Sequence, residues 1–147
     1  MRVRAISSHV RKEENVETPT RALSVRQPYA EAIMNGCKPV EYRSRGTNIR
    51  ERVFIYATQA AGYPIEFAAM GLKPGDLPRG VLVGSVEVVD CTGWTGNFRY
   101  YLRNPIRLAR PVPPRGRPQP VWFKPFPDGK TPRLDWLLEP EETHGLA

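Results

Sequence analysis

A lysine, a glutamate and an arginine stand close together in the run Gly36-Cys37-Lys38-Pro39-Val40-Glu41-Tyr42-Arg43. Lys38 is a compact point charge with three donors, able to hold a phosphate or polarise a base carbonyl. The segment PVEYRS, residues 39–44, reads as a strand. On a strand Glu41 and Arg43 share one face at ~7 Å spacing, with Val40 and Tyr42 on the other. A glutamate paired with an arginine stays ionised and can accept hydrogen bonds from a base amino group. The competing reading is a structural ion pair on a rim strand beside an ordinary surface lysine.

Further candidates lie outside this run. Glu87 sits inside the apolar VLVGSVEVVD, where a carboxylate needs a partner or a raised pKa. It is either an acid or base facing Lys38 or a barrel-wall residue paired with an arginine. Arg26 precedes the first expected helix and can add to a basic rim or be solvated. Trp94, Tyr100, Tyr101 and Trp122 are candidates to stack on bases, against the commoner use of aromatics as core. Arg107, Arg110, Arg115 and Arg117 flank prolines and form either a surface that tracks a phosphate backbone or a solvated extended segment.

Several chemistries lack their residues. The two histidines, His9 and His144, fall near the ends of the chain, so a Ser-His-Asp or Cys-His site has no evident base. Cys37 and Cys91 stand alone, outside any CxxC or CxxH spacing, and suggest neither zinc nor a disulfide framework. There is no Walker loop, no GxGxxG after a strand and no HExxH. No metal and no cofactor is expected. With no long apolar run and no signal-like N-terminus, the expected setting is reduced and cytoplasmic, with no membrane partner.

The charge balance points to an anionic partner. The 147 residues carry a formal net charge of +7, and residues 21–138 hold 18 Lys/Arg against 9 Asp/Glu. Seventeen of the 22 basic residues are arginine, whose planar fork of donors suits phosphates and base edges. A genome rich in arginine codons and a solubilising surface would give the same composition.

The elements that must position these residues are short. ALSV (22–25) reads as a strand, residues 28–35 as a helix opened by Pro28 and closed by Gly36, and RVFIYAT (52–58) as a strand. PIEFAAMG (64–71) reads as a second helix, and VLVGSVEVVD (81–90) as a central strand in which Gly84 marks a bulge or a close approach. CTGWTGN reads as a loop. FRYYLRNP reads as either a helical turn or an edge segment, and the 16 prolines, clustered after Pro105, predict extended, turn-rich structure. The expected organisation is a flexible arm over 1–20, one domain over 21–136 and a mobile tail over 137–147. The expected fold is α+β: a compact β-barrel of about five or six strands with two short helices at its rim.

The motif and its surroundings are more specific than any of these patterns. Residues 36–43 fit GxKxxExR. The blocks ALSVRQPYAEAIMNGCKPVEYRS, RVFIYAT, LPRGVLVGSVEVVDC and NPIRLARPVPPRGRPQPVW follow in order. Together they resemble the ASCH domain, a branch of the PUA-like barrels, over roughly residues 21–125. The resemblance implies a cleft lined by the motif and RNA as the usual proposed ligand. Some small bacterial members hydrolyse the amide of acetylated cytidine, and a ribonuclease activity is attributed to other relatives. Departures from the family pattern are Tyr56 and Thr58 in Ile55-Tyr56-Ala57-Thr58, often Ile-His-Ala-Ser, and Arg45 where an aromatic often follows the motif. Glu41 stands where the small hydrolases carry threonine.

Three functions compete. In the first, the cleft binds RNA or a single-stranded or flipped-out nucleotide through Lys38, Glu41, Arg43, Arg26 and Arg45, with a modified nucleoside as one form of that ligand. In the second, the protein is an amidohydrolase on an acylated cytidine, with Lys38 as base, Glu87 as proton donor and a water or Ser44 as nucleophile. In the third, residues 105–125 form a strip that docks a protein.

Overall fold

The computed structural model describes residues 9–11 and 16–138, and the rest of the chain lies outside the described residues. RVFIYA forms a strand over Arg52–Ala57 in which all six residues are buried. Val53, Ile55 and Ala57 join one core cluster, while Phe54 and Tyr56 join another. A strand of β-branched and aromatic residues with both faces covered has to be central. The strands in chain order are β1 (His9–Arg11), β2 (Ala22–Val25), β3 (Val40–Arg43), β4 (Arg52–Ala57), β5 (Val81–Trp94), β6 (Asn97–Val112), β7 (Trp122–Phe123) and β8 (Trp136–Leu138). Helices α1 (Tyr29–Met34) and α2 (Pro64–Ala69) and a 3-10 turn (Pro74–Asp76) complete the fold.

All eight strands belong to one sheet, ordered β1-β8-β6-β5-β4-β2-β7, with β3 added to β6 beside the main path. Only β2 and β4 run parallel among these pairs. The sheet curls into a half-barrel with two short helices, the expected class. Its five strands of four residues or more match the expected number. The others, β1, β7 and β8, hold two or three residues each, too few to show a period of two.

Three expectations change. CTGWTGN is not a loop, because β5 runs on to Trp94 and turns through Thr95-Gly96 into β6. FRYYLRNP is neither a helical turn nor an edge segment: it lies in β6, between β3 and β5. The strand survives Pro105 because the ladder skips it: Glu87 pairs with Arg103 and Ser85 with Ile106, leaving Asn104 (φ 54°) and Pro105 in a bulge. Leu137 and Leu138, expected in the tail, pair as part of β8, and residues 9–11 of the expected arm pair with them.

Helix α1 buries Ala30, Ala32, Ile33 and Met34. Its seat depends on Gly84, where a Cβ would fall 2.5 Å from the carbonyl oxygen of Ile106 and 2.3 Å from Met34 Sδ. Gly84 also borders the β5–β6 bulge, so both sequence readings of this residue hold together.

Candidate functional site

A tight turn carries the chain from α1 into β3 and fixes Lys38. Gly36 adopts φ +84°, which favours glycine, and donates to Ile33 O at 3.1 Å. The Lys38 N–H then returns to Ala32 O at 3.0 Å. On β3, Glu41 lies opposite Tyr100 and Tyr42 opposite Arg99, so Glu41 and Arg43 point inward and Tyr42 outward.

Glu41 is 7% exposed and each of its oxygens meets a cation. Lys38 Nζ lies 3.4 Å from Oε1, and Arg43 Nε donates to Oε2 at 2.8 Å. Lys38 Nζ also donates to Val40 O at 2.9 Å, and sits 5.5 Å from the ring centre of Tyr29 and 5.1 Å from that of Tyr42. Two aromatic faces thus steady the ammonium. Arg43 Nη2 donates to the carbonyl of Ser24 on β2. Among the described residues β3 pairs only with β6, so this bond bridges the open seam of the half-barrel.

The cleft lies at that seam. It encloses about 860 Å³, enough for a drug-sized or nucleotide-sized ligand. Lys38, Glu41 and Arg43 line one side; Pro118, Gln119, Pro120 and Val121 line another. This second wall hangs on β2 through Ser24 Oγ to Gln119 O (2.6 Å) and Ser24 N to Val121 O (2.9 Å). Val121 takes φ +68°, a costly conformation for a β-branched residue. Arg26 stands exposed at the edge, so three cations and one carboxylate line the cleft.

Tyr29 ties the cleft to α2. Its hydroxyl donates to Glu66 Oε2 at 2.5 Å, which raises the Tyr29 pKa above its ordinary value, helped by desolvation. The same bond, with the backbone N–H of Tyr63, holds the Glu66 carboxyl below the usual range. Burial raises the pKa of Tyr56, also in the wall.

The structure therefore brings Lys38, Glu41, Arg43 and Arg26 together. Arg45 does not line the cleft; it is exposed beyond the end of β3, and its carbonyl accepts from the Tyr100 hydroxyl at 2.6 Å. Glu87 does not face Lys38. It pairs with Arg52 at 3.6 Å and accepts from Asn104 Nδ2 at 2.9 Å. The β5 ladder puts it opposite Arg52 and Arg103, and the β5 bulges make its facing unreadable from alternation alone. Ser44 is exposed and also outside the cleft, so the arrangement expected for a hydrolase is not assembled. Tyr100 is fully buried and stacks on the half-buried Trp122, with ring centres 6.3 Å apart, so Tyr100 is not a free stacking face.

Arg107 forms a bidentate pair with Glu31, and Arg115 pairs with Asp128, while Arg110 is 88% exposed. Residues missed by the sequence reading as cleft residues are Tyr29 and the wall 118–121. Proline content marked the wall as extended, but nothing local placed it at the seam. Among the described residues no group of three or more His, Cys, Asp or Glu could hold a metal, and no helix is long and apolar enough to cross a membrane.

The family model for the ASCH domain matches residues 23–105, the stretch that carries β2, α1, β3, β4, β5 and the first part of β6. This chain belongs to the ASCH domain family. The ASCH chain is 29% identical over 125 residues to activating signal cointegrator 1 of Homo sapiens, and 28% identical to its Mus musculus counterpart. Each match covers 68% of this chain but 21% of the relative, so the chain spans about a fifth of those proteins. The crystal structure of ASCH from Zymomonas mobilis shares the fold, with a TM-score of 0.50 and 17% identity over 71% of this chain and 85% of that one.

Proposed function

We propose that this ASCH domain is a nucleic-acid-binding module whose seam cleft takes one nucleotide of RNA or of single-stranded or locally opened DNA. The observation that carries the reading is the set of cationic donors held ready around Glu41. Lys38 has three N–H donors, of which Val40 O accepts one, while Glu41 lies at ion-pair distance. Arg43 has five, of which Glu41 and Ser24 engage two. The unspent donors belong to a cleft with a surplus of positive charge, which suits a phosphate or a base carbonyl. Glu41 holds both cations in place and keeps lone pairs for a base amino group.

The excess of arginine is consistent with an anionic, nucleic-acid partner. The hydrolase reading gains nothing from the geometry, since neither Glu87 nor Ser44 reaches the cleft.

The test is fluorescence anisotropy with labelled single-stranded RNA and DNA over a salt series. Wild type is expected to bind, to weaken steeply with salt and to discriminate among oligonucleotides, and Lys38→Ala to lose that discrimination. Binding that is absent, or purely salt-driven and indifferent to Lys38, would remove the cleft as a reader of nucleic acid.

A further inference from the structure

Beyond the cleft, the hairpin of β5 and β6 carries side chains that neither the core nor the cleft uses. Five large hydrophobic side chains are exposed among the described residues, and three of them, Tyr42, Val89 and Trp94, lie on β3 and β5 around this hairpin. Tyr42 is 58% exposed and Trp94 64%. The register places them on one surface. Tyr42 on β3 faces Arg99 on β6, Arg99 faces Thr92 on β5, and Trp94 follows two residues on, opposite Asn97. Residues two apart on a strand share a face, so Tyr42, Arg99, Tyr101, Thr92 and Trp94 form the outer surface of a three-stranded sheet. With strands ~4.8 Å apart and residues ~3.4 Å apart, Tyr42 and Trp94 are separated by about 12 Å.

The surface is built rather than loose. Thr92 Oγ1 and the Tyr101 hydroxyl are hydrogen-bonded at 2.9 Å. Gly96 N donates to Ser44 O at 2.9 Å, which draws the hairpin tip against the end of β3. Arg99 and Arg103 are exposed on this face, and no carboxylate among the described residues lies within ion-pair distance of either. The two carboxylates nearby are already partnered, Asp90 with Arg50 at 3.9 Å and Glu87 with Arg52 at 3.6 Å.

We propose that this face is a second binding surface, a stacking platform that receives the single strand as it leaves the cleft, with Tyr42 and Trp94 as base-stacking residues and Arg99 and Arg103 on the backbone. Tyr42 supplies the continuity, because it lines the cleft and stands on the platform at once. Exposed aromatics interleaved with arginines that have no ion-pair partner among the described residues are what a single strand requires: a π face for each base and cations for the phosphates. The proposal rests on the cleft reading and extends it from one nucleotide to several.

The test compares a trinucleotide with a decanucleotide of the same composition, using wild type, Trp94→Ala, Trp94→Phe and Lys38→Ala. Trp94 is exposed, so its replacement leaves the core intact. The platform predicts that wild type prefers the decamer. Trp94→Ala should weaken the decamer by about 5- to 100-fold while leaving the trimer unchanged. Trp94→Phe keeps an aromatic face and should restore most of the affinity. Lys38→Ala should weaken both lengths. If Lys38→Ala weakens both and Trp94→Ala weakens neither, the platform is wrong and the cleft stands. If wild type binds both lengths alike with Lys38 still required, the platform is likewise wrong. If no variant alters binding, or nothing binds, both ideas fall, and a protein partner becomes the occupant to seek for the exposed face.

Discussion

Arg43 and Glu41 stand two residues apart on β3 with Nε and Oε2 at 2.8 Å, and the same guanidinium reaches the Ser24 carbonyl on β2. One side chain thus orders the carboxylate of its own strand and closes the seam to another. Lysine keeps the charge but lacks the planar fork that makes both bonds. Arg43→Lys is expected to weaken oligonucleotide binding about tenfold and to cost about 1.5–3 kcal/mol of stability, the worth of one lost hydrogen bond to a charged group. Titration and urea denaturation of the same preparation check both, and an unchanged affinity would show that the bond to β2 is incidental.

Glu41 is buried between two cations, and Lys38 and Arg43 are themselves only 20% and 18% exposed at the side chain. Removing the carboxylate leaves two positive groups facing each other with little solvent to separate them. Glu41→Ala is expected to destabilise the fold by about 3 kcal/mol, typical of a broken buried pair. The midpoint of chemical denaturation measures this. A midpoint matching wild type would mean that the trio behaves as a surface ion pair.

The Tyr29–Glu66 bond gives the region around the cleft an acid and an alkaline limit. Glu66 has a depressed folded pKa, so its contribution is present above the unfolded carboxylate value of about 4.3 and fades as pH falls through the lower folded value. Tyr29 has a raised folded pKa, so its contribution is present below about 10 and fades as pH climbs through the higher folded value. Melting temperatures from pH 3 to pH 11 should therefore show a plateau with a drop at each end. Glu66→Gln should soften the acid drop, and an acid limb identical to wild type would show that other carboxylates set it.

Gly84 offers a test of how α1 is seated. A Cβ there would meet the Ile106 carbonyl oxygen at 2.5 Å, and a backbone atom has nowhere to retreat. Gly84→Ala is expected to cost about 3 kcal/mol, at the upper end of ordinary overpacking. Because α1 leads directly into Lys38, affinity should fall along with the denaturation midpoint. Full stability in this variant would contradict the close packing.

These residues also show what could be read from the sequence. Ala22–Val25 is found with the expected bounds, and α1 within a residue at each end, because Pro28 and Gly36 mark its ends chemically. The pairing of Glu41 with Arg43 follows from alternation on a four-residue strand. Glu87 was harder, since its facing depends on counting residues through a strand with several bulges. Trp94 lies in CTGWTGN, which reads as a loop, yet Gly93 and Gly96 belong to a hairpin end (φ +131° and +88°). The wall at 118–121 and the bond from Arg43 to Ser24 arise from contacts between distant segments, and no local pattern announces such contacts.

Strand β6 is the common neighbour in this sheet. It pairs with β3 through Phe98–Tyr101, with β5 along most of its length, and with β8 at Arg107 and Leu108. This makes the chain unequal in where it tolerates being cut. A circular permutant opened near Lys73–Arg79, a stretch without strand pairing that is mostly exposed, keeps every ladder intact. One opened within Asn97–Val112 would interrupt the strand that joins the edge carrying the motif, the centre of the sheet and its closing strand.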